Sequence, residues 1–129
     1  MKKIIESADA PEAIGPYSQA VVFNGTVYCS GQIALDPQTL EMAGSDVRTQ
    51  TRQVMVNLEK VLMAAGSDLS QILKCTIYLT AMEDFQACNE IYSSYFETDP
   101  PARETVAVKE LPRAARVEIS CIAALKDAG

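Results

Sequence analysis

The stretch that decides the fold reads Ala20-Val21-Val22-Phe23-Asn24-Gly25-Thr26-Val27-Tyr28-Cys29. Two runs rich in β-branched and aromatic residues flank Asn-Gly, a dipeptide that readily adopts the positive φ angles of a two-residue turn. The stretch therefore predicts a β-hairpin, which is the strongest local signal in the chain.

The segments around the hairpin predict further strands and two helices. Two helices for about six strands favour an α+β fold in which both helices cover one face of a mixed sheet. The predicted segments are, in order, a short edge strand Lys2 to Glu6, the hairpin, a turn Asp36 to Thr39, a helix ending at Gly66, a strand Lys74 to Thr80, a helix from Met82 or Glu83 to about Phe96, and strands Arg103 to Val108 and Arg116 to Leu125.

The first helix has a signal at each end. Ser45 or Asp46 is a suitable N-cap, and Gly66 suits a left-handed C-terminal cap. In the second helix, apolar and aromatic residues recur at steps of three and four, which predicts a face packed in the core. These residues are Phe85, Cys88, Tyr92 and Phe96.

Size and charge restrict the partners of this protein. The 129 residues leave room for a single domain spanning 1–129. A net charge of -6 with no basic cluster makes nucleic acid an unfavourable partner. No segment approaches the roughly 20 apolar residues of a membrane span, so we expect a cytoplasmic protein. The sheet face without helices needs a cover, and we expect copies of the chain to supply it.

The chain has no histidine. This excludes Ser-His-Asp and Cys-His nucleophile systems and histidine metal sites. The four cysteines form no Cys-x-x-Cys pair, so we expect buried free thiols and predict no metal or cofactor. Catalysis must then rely on carboxylates, hydroxyls, Arg or Lys, backbone amides and water.

Two short stretches of the sequence contain candidate site residues. Gly31 interrupts a predicted strand, which indicates either a β-bulge or a ligand that approaches the backbone closely, and Ser30 beside it adds a hydroxyl. Tyr17 follows a Gly-Pro turn, and the sequence leaves both a packing role and a site role open for its ring.

Two charged residues, Arg103 and Glu118, are further candidate site residues. Arg103 and Thr105 share one face of their strand, and Glu118 shares a face with Ser120. Strands on either side of a short connection often pair, so we expect these side chains to line one pocket. There Arg103 would hold a carboxylate bidentately, with help from the Gly31 N–H. The alternative for each charge taken alone is a solvated position.

Five motifs stand in order along nearly the whole chain: Ile14-Gly15-Pro16-Tyr17-Ser18-Gln19-Ala20, Ser30-Gly31-Gln32-Ile33, Asn89-Glu90-Ile91-Tyr92, Pro101-Ala102-Arg103 and Val117-Glu118-Ile119. Together they resemble the motifs of the RidA/YjgF family of reactive intermediate deaminases. The resemblance implies a chorismate-mutase-like fold, a homotrimer with clefts between subunits, and hydrolysis of 2-enamino and 2-imino acids released by pyridoxal-phosphate enzymes. The products would be 2-oxo acids and ammonia, with 2-iminobutanoate and 2-iminopropanoate as substrates.

The resemblance also implies roles for individual residues. Arg103 would bind the substrate carboxylate, and the residues that line the cleft would be Tyr17, Ser30, Gly31, Asn89 and Glu118. Our mechanistic hypothesis is that Glu118 orients water or accepts its proton, with Ser30 and Tyr17 as further catalytic residues. We also expect Thr105 among the substrate-binding residues.

One position departs from the family pattern. Many members carry cysteine where this chain has Thr105, which argues against a cysteine-dependent or oxidation-regulated role here. A threonine hydroxyl still donates to a substrate or holds water. Two alternative functions stay open: an endoribonuclease or translation inhibitor, and a regulatory protein that binds small acids without turnover.

Overall fold

A computed structural model describes residues 1–126 of the chain. They form a mixed six-stranded sheet, two α-helices and short 3-10 turns. The predicted α+β architecture is confirmed. The element bounds are β1 Lys3–Ile5, β2 Ala20–Phe23, β3 Thr26–Gln32, α1 Val47–Ala65, β4 Ile72–Leu79, α2 Phe85–Ser93, β5 Ala102–Ala107 and β6 Val117–Ala124.

The predicted hairpin is present as β2 and β3. Phe23 lies opposite Thr26, and the two turn residues have positive φ angles, 49° at Asn24 and 76° at Gly25. Since both central residues adopt the left-handed region, the turn follows the right-handed twist of the strands. β1 pairs with the outer side of β2, which confirms the predicted edge strand.

Both predicted caps of α1 are present. The Asp46 side chain accepts a hydrogen bond from the Thr49 N–H. Gly66 has a φ of 88°, and its N–H bonds to the carbonyls of Leu62 and Met63. The sequence therefore predicted both ends of this helix correctly, because each end depends on local chemistry.

The second helix is shorter than predicted. Met82–Asp84 is a 3-10 turn, and α2 covers only Phe85–Ser93. Beyond it the chain makes tighter bonds, the last from the Phe96 N–H to the Ser93 carbonyl at 3.1 Å. Both ends of the predicted segment are thus 3-10 rather than α-helical. Neither α-helix in residues 1–126 is long and apolar enough to cross a membrane.

The strand order is β1-β2-β3-β6-β4-β5. The prediction that β5 and β6 are neighbours is wrong. β5 lies parallel to β4 at the sheet edge, whereas β6 inserts antiparallel between β3 and β4. The reason is the crossover through α2, which returns β5 beside β4, so the connection after β5 must pass β4 before β6 begins.

The helices cover one face of the sheet. Cys29, Cys121 and Cys75 lie side by side on that face across β3, β6 and β4, and all three are buried. Cys88 on α2 is also buried, and the four thiols are free, as predicted. The first helix packs Val54, Leu58, Val61 and Leu62 against this layer.

The opposite face of the sheet has no helix on it. Residues 1–126 leave Ile4, Phe23, Tyr28 and Val106 between 42% and 49% exposed there. Large apolar residues exposed on one continuous face are typical of an interaction surface. Association of the chain with copies of itself stays a prediction.

Candidate active site

β3 carries a bulge at its end. Cys29 pairs with Cys121, and Gln32 pairs with Ile119, so three steps along β3 match two steps along β6. The extra residue bends the strand next to Gly31. Of the two readings of Gly31, the bulge is therefore confirmed.

Gly31 also makes a close approach, although the neighbouring group belongs to the chain itself. A Cβ built at position 31 would collide with the Oε2 atom of Glu118 and lie only 2.8 Å from its Cδ atom. Because Gly31 has no side chain, the Glu118 carboxyl can lie against the sheet surface at this position. No other residue type fits there without displacing that side chain.

The Glu118 carboxyl is half-buried and has no hydrogen-bond or ion-pair partner within residues 1–126. Burial raises its pKa above the ordinary value of 4.5. A carboxyl group whose protonated form is favoured by burial is better suited to give and take a proton than an exposed carboxylate. Its geometry fits the predicted catalytic role.

Glu118 and Gly31 open into a cavity of about 450 Å³. Tyr17 lines the same cavity, together with apolar residues that include Ile33 and Pro112. Tyr17 is 52% exposed in the single chain, so it does not pack in the core of this chain, and its site role stays a prediction. Its hydroxyl accepts a hydrogen bond from the Ile14 N–H at 3.3 Å.

Ser30 holds the segment that carries Tyr17. Its hydroxyl donates to the Ser18 carbonyl at 2.6 Å, and its N–H donates to the Gln19 carbonyl at 3.0 Å. The buried Gln19 amide in turn donates to the Pro11 carbonyl at 2.7 Å. The hydroxyl proton of Ser30 is therefore already donated to a backbone carbonyl, and the hydroxyl oxygen can still accept a further hydrogen bond. Gln19 stands in the first of the five motifs, but its supporting role was not predicted.

One group of site residues is made up of Tyr17, Ser30, Gly31 and Glu118. A second group of site residues surrounds Arg103. Its Nη1 donates to the Asn89 Oδ1 at 2.5 Å. Its Cζ lies 5.6 Å from the ring centroid of Phe85 and 5.1 Å from that of Tyr92. Both rings also pack in the core layer, as predicted. Their contact with the Arg103 guanidinium was not predicted. The spacing of 85, 89 and 92 on one helix face was the available signal.

Thr105 shares the face of β5 that carries Arg103, but its hydroxyl makes no hydrogen bond to the residues around Arg103. It lies in register with Ile77, on the face covered by the helices. Its Oγ1 is buried and has no hydrogen-bond partner in the described part of the chain. Such a hydroxyl needs a partner that this single chain does not supply.

The two groups lie on opposite faces of the sheet, and the prediction that Arg103 and Glu118 line one pocket of one chain is wrong. Arg103 is in register with Cys75 on the helix face, whereas Glu118 is in register with Tyr78 on the open face. Paired residues point to the same side of a sheet, so one chain cannot bring the two together. Arg103 and the Gly31 N–H are likewise separated.

Comparisons with known proteins cover nearly the whole of the chain. The model of the family described as Endoribonuclease L-PSP matches residues 7–125. The chain belongs to this family, RidA/YjgF. The resemblance stated from the five motifs is thereby confirmed.

Several RidA/YjgF relatives are similar to this chain in sequence over nearly their full length. The chain is 52% identical over 124 residues to Protein DfrA of Myxococcus xanthus, covering 95% of both chains. It is 45% identical over 123 residues to the mouse 2-iminobutanoate/2-iminopropanoate deaminase, covering 95% of this chain and 91% of the mouse protein. The structure of E. coli TdcF with bound serine superposes with a TM-score of 0.91 at 39% identity, covering 96% and 99%.

Proposed function

We propose that this protein hydrolyses reactive 2-enamino and 2-imino acids to 2-oxo acids and ammonia, with 2-iminobutanoate and 2-iminopropanoate as substrates. The observation that carries the proposal is the Glu118 carboxyl, which is half-buried against Gly31 and has a raised pKa. The name of the mouse relative and the serine bound to E. coli TdcF favour a small amino-acid-like substrate.

The chemistry requires only the groups that the site offers. Water adds to the electrophilic C=N carbon, forming a C–O bond while the nitrogen takes up a proton. The C–N bond of this carbinolamine then breaks, ammonia leaves, and loss of the hydroxyl proton forms the carbonyl. Glu118 would accept the proton of the attacking water and return one to the leaving nitrogen.

The substrate carboxylate needs a cation, and we propose Arg103. Its guanidinium has no carboxylate within ion-pair distance among residues 1–126, so its charge is available. Because Arg103 and Glu118 lie on opposite faces of the sheet, the proposal requires a second copy of the chain. A homotrimer would place Arg103, Asn89 and Thr105 of one copy opposite Tyr17, Ser30, Gly31 and Glu118 of the next.

A trapping assay tests this function. A threonine dehydratase releases 2-iminobutanoate, and semicarbazide captures whatever imine survives. We expect added protein to lower the captured amount. Glu118→Gln should reduce the hydrolysis rate about 10²- to 10⁴-fold, the usual contribution of a general acid or base. Arg103→Ala should lose about 10- to 100-fold, the value of a charged hydrogen bond.

The control variant is Arg52→Ala, which removes an exposed arginine of α1 and should behave as wild type. Undiminished capture with wild-type protein would contradict the proposal. In that case, binding of 2-oxobutanoate without turnover would favour the regulatory alternative. RNA cleavage that survives Arg103→Ala would favour the endoribonuclease alternative.

A further inference from the structure

Arg103 is an exposed cation that forms no ion pair within residues 1–126, although the protein is acidic. It lies on the edge strand β5, and no carboxylate of residues 1–126 pairs with it, although other basic side chains of the chain do find such partners. A long side chain without an ion pair normally samples many rotamers. Only contacts other than an ion pair within residues 1–126 can restrict the position of this guanidinium.

The contacts of Arg103 come from one face of α2. Phe85, Asn89 and Tyr92 follow each other at steps of four and three, so they lie above one another on the helix. Asn89 accepts one hydrogen bond from the guanidinium, and the two rings lie 5.6 and 5.1 Å from its Cζ. Both distances are within the range of a cation–π interaction.

Aromatic faces hold a cation without neutralising it. An acidic side chain in their place would pair with Arg103 and compete with an incoming anion, whereas a ring attracts the cation only through its quadrupole. Tyr92 also remains a neutral phenol, because burial raises its pKa. Its hydroxyl makes no hydrogen bond to Arg103, and the contact between the two residues is made by the ring.

We propose that Phe85 and Tyr92 are positioning residues that fix the Arg103 guanidinium while leaving it free to bind a carboxylate. The carboxylate part of this inference rests on the proposed function. The ring contacts have a different basis, since the distances within one chain give them directly.

NMR of the free protein tests the positioning directly. Ring currents should shift the side-chain protons of Arg103 upfield, and Arg103→Lys identifies these resonances. Phe85→Leu should move them towards the values of an exposed arginine. Phe85→Tyr and Tyr92→Phe, which keep the rings, should not. Arg103 resonances that already have exposed-arginine values in the wild type would overturn the proposal.

Calorimetric titration with 2-oxobutanoate tests the consequence for binding. Phe85→Leu should weaken binding roughly 2- to 30-fold, the range that a cation–π contact supplies, while Phe85→Tyr and Tyr92→Phe should bind as wild type. Equal losses in Phe85→Leu and Phe85→Tyr would contradict a role for the ring. If wild type binds no 2-oxobutanoate, the carboxylate role of Arg103 fails. The trapping assay decides the proposed function separately, and the NMR comparison still decides whether the rings position Arg103.

Discussion

At the scale of the residue, the site depends on Gly31 and Glu118 together. The missing side chain at Gly31 is the space that the Glu118 carboxyl occupies. The carboxyl gains no hydrogen bond there, so burial alone determines the direction of its pKa shift. A group placed in this way stabilises the fold less when it is charged than when it is protonated.

This predicts a specific pH dependence for Glu118→Gln. Because the pKa of Glu118 is raised on folding, its favourable contribution is complete below its pKa in the unfolded chain and is lost as the pH rises through the folded value. We expect Glu118→Gln to gain stability relative to wild type as the pH rises from 4 to 7.5, in urea unfolding, while it loses activity.

The reference variant for this comparison is Glu83→Gln, which removes the same charge from an exposed position of a chain with net charge -6. The stability difference between the two variants isolates the burial of Glu118 from general charge repulsion. A Glu118→Gln advantage that shrinks with rising pH would contradict the raised pKa.

At the scale of the element, the end of α1 depends on Gly66. Its φ of 88° lies in the left-handed region, and its N–H closes the last turn of the helix. The surrounding space accommodates a methyl group, since the nearest atom to a built Cβ, Leu125 Cδ2, is 3.9 Å away. Backbone strain is therefore the dominant effect of a substitution here.

We predict that Gly66→Ala lowers the free energy of unfolding by about 1–2 kcal/mol, the cost of the left-handed conformation for a residue with a Cβ. Gly66→Asn should lose less, because asparagine tolerates this conformation. Chemical denaturation of both variants measures the difference. Equal stability of wild type and Gly66→Ala would show that the cap is not strained.

At the scale of the whole molecule, the proposed function requires the two groups of site residues to come from different copies of the chain. The proposed cleft takes Arg103 from one copy and Glu118 from its neighbour. Two variants that are each inactive should therefore restore activity when their chains mix. Refolding Arg103→Ala together with Glu118→Gln in equal amounts should return roughly a quarter of the wild-type clefts in a cyclic oligomer.

The matched control mixes Arg103→Ala with the double variant Arg103→Ala/Glu118→Gln, which provides no intact Arg103 and should stay inactive. Mass spectrometry checks that mixed oligomers form in both samples. Mixed oligomers without any recovered activity would contradict a shared cleft, and a monomeric sedimentation profile at micromolar concentration would contradict the oligomer itself.

The sequence by itself determined the features that depend on neighbours along the chain. The Asn24-Gly25 turn, the two caps of α1 and the alternation of β6 follow from local backbone geometry and side-chain period. The motifs determined the family for the same reason, because they are read in order along the chain. Tyr17, Gly31, Asn89, Arg103 and Glu118 were all identified in this way as candidate site residues.

Only the tertiary structure decided how these residues are grouped. The α2 crossover places β5 beside β4, and with it Arg103 on the opposite face from Glu118. Strand order depends on contacts between segments that are distant in sequence. A period-two pattern shows which residues of one strand share a face, but it does not show which face of a second strand lies on the same side of the sheet. The contact of Phe85 and Tyr92 with Arg103 was hidden for the same reason, since it joins a helix face to a strand edge.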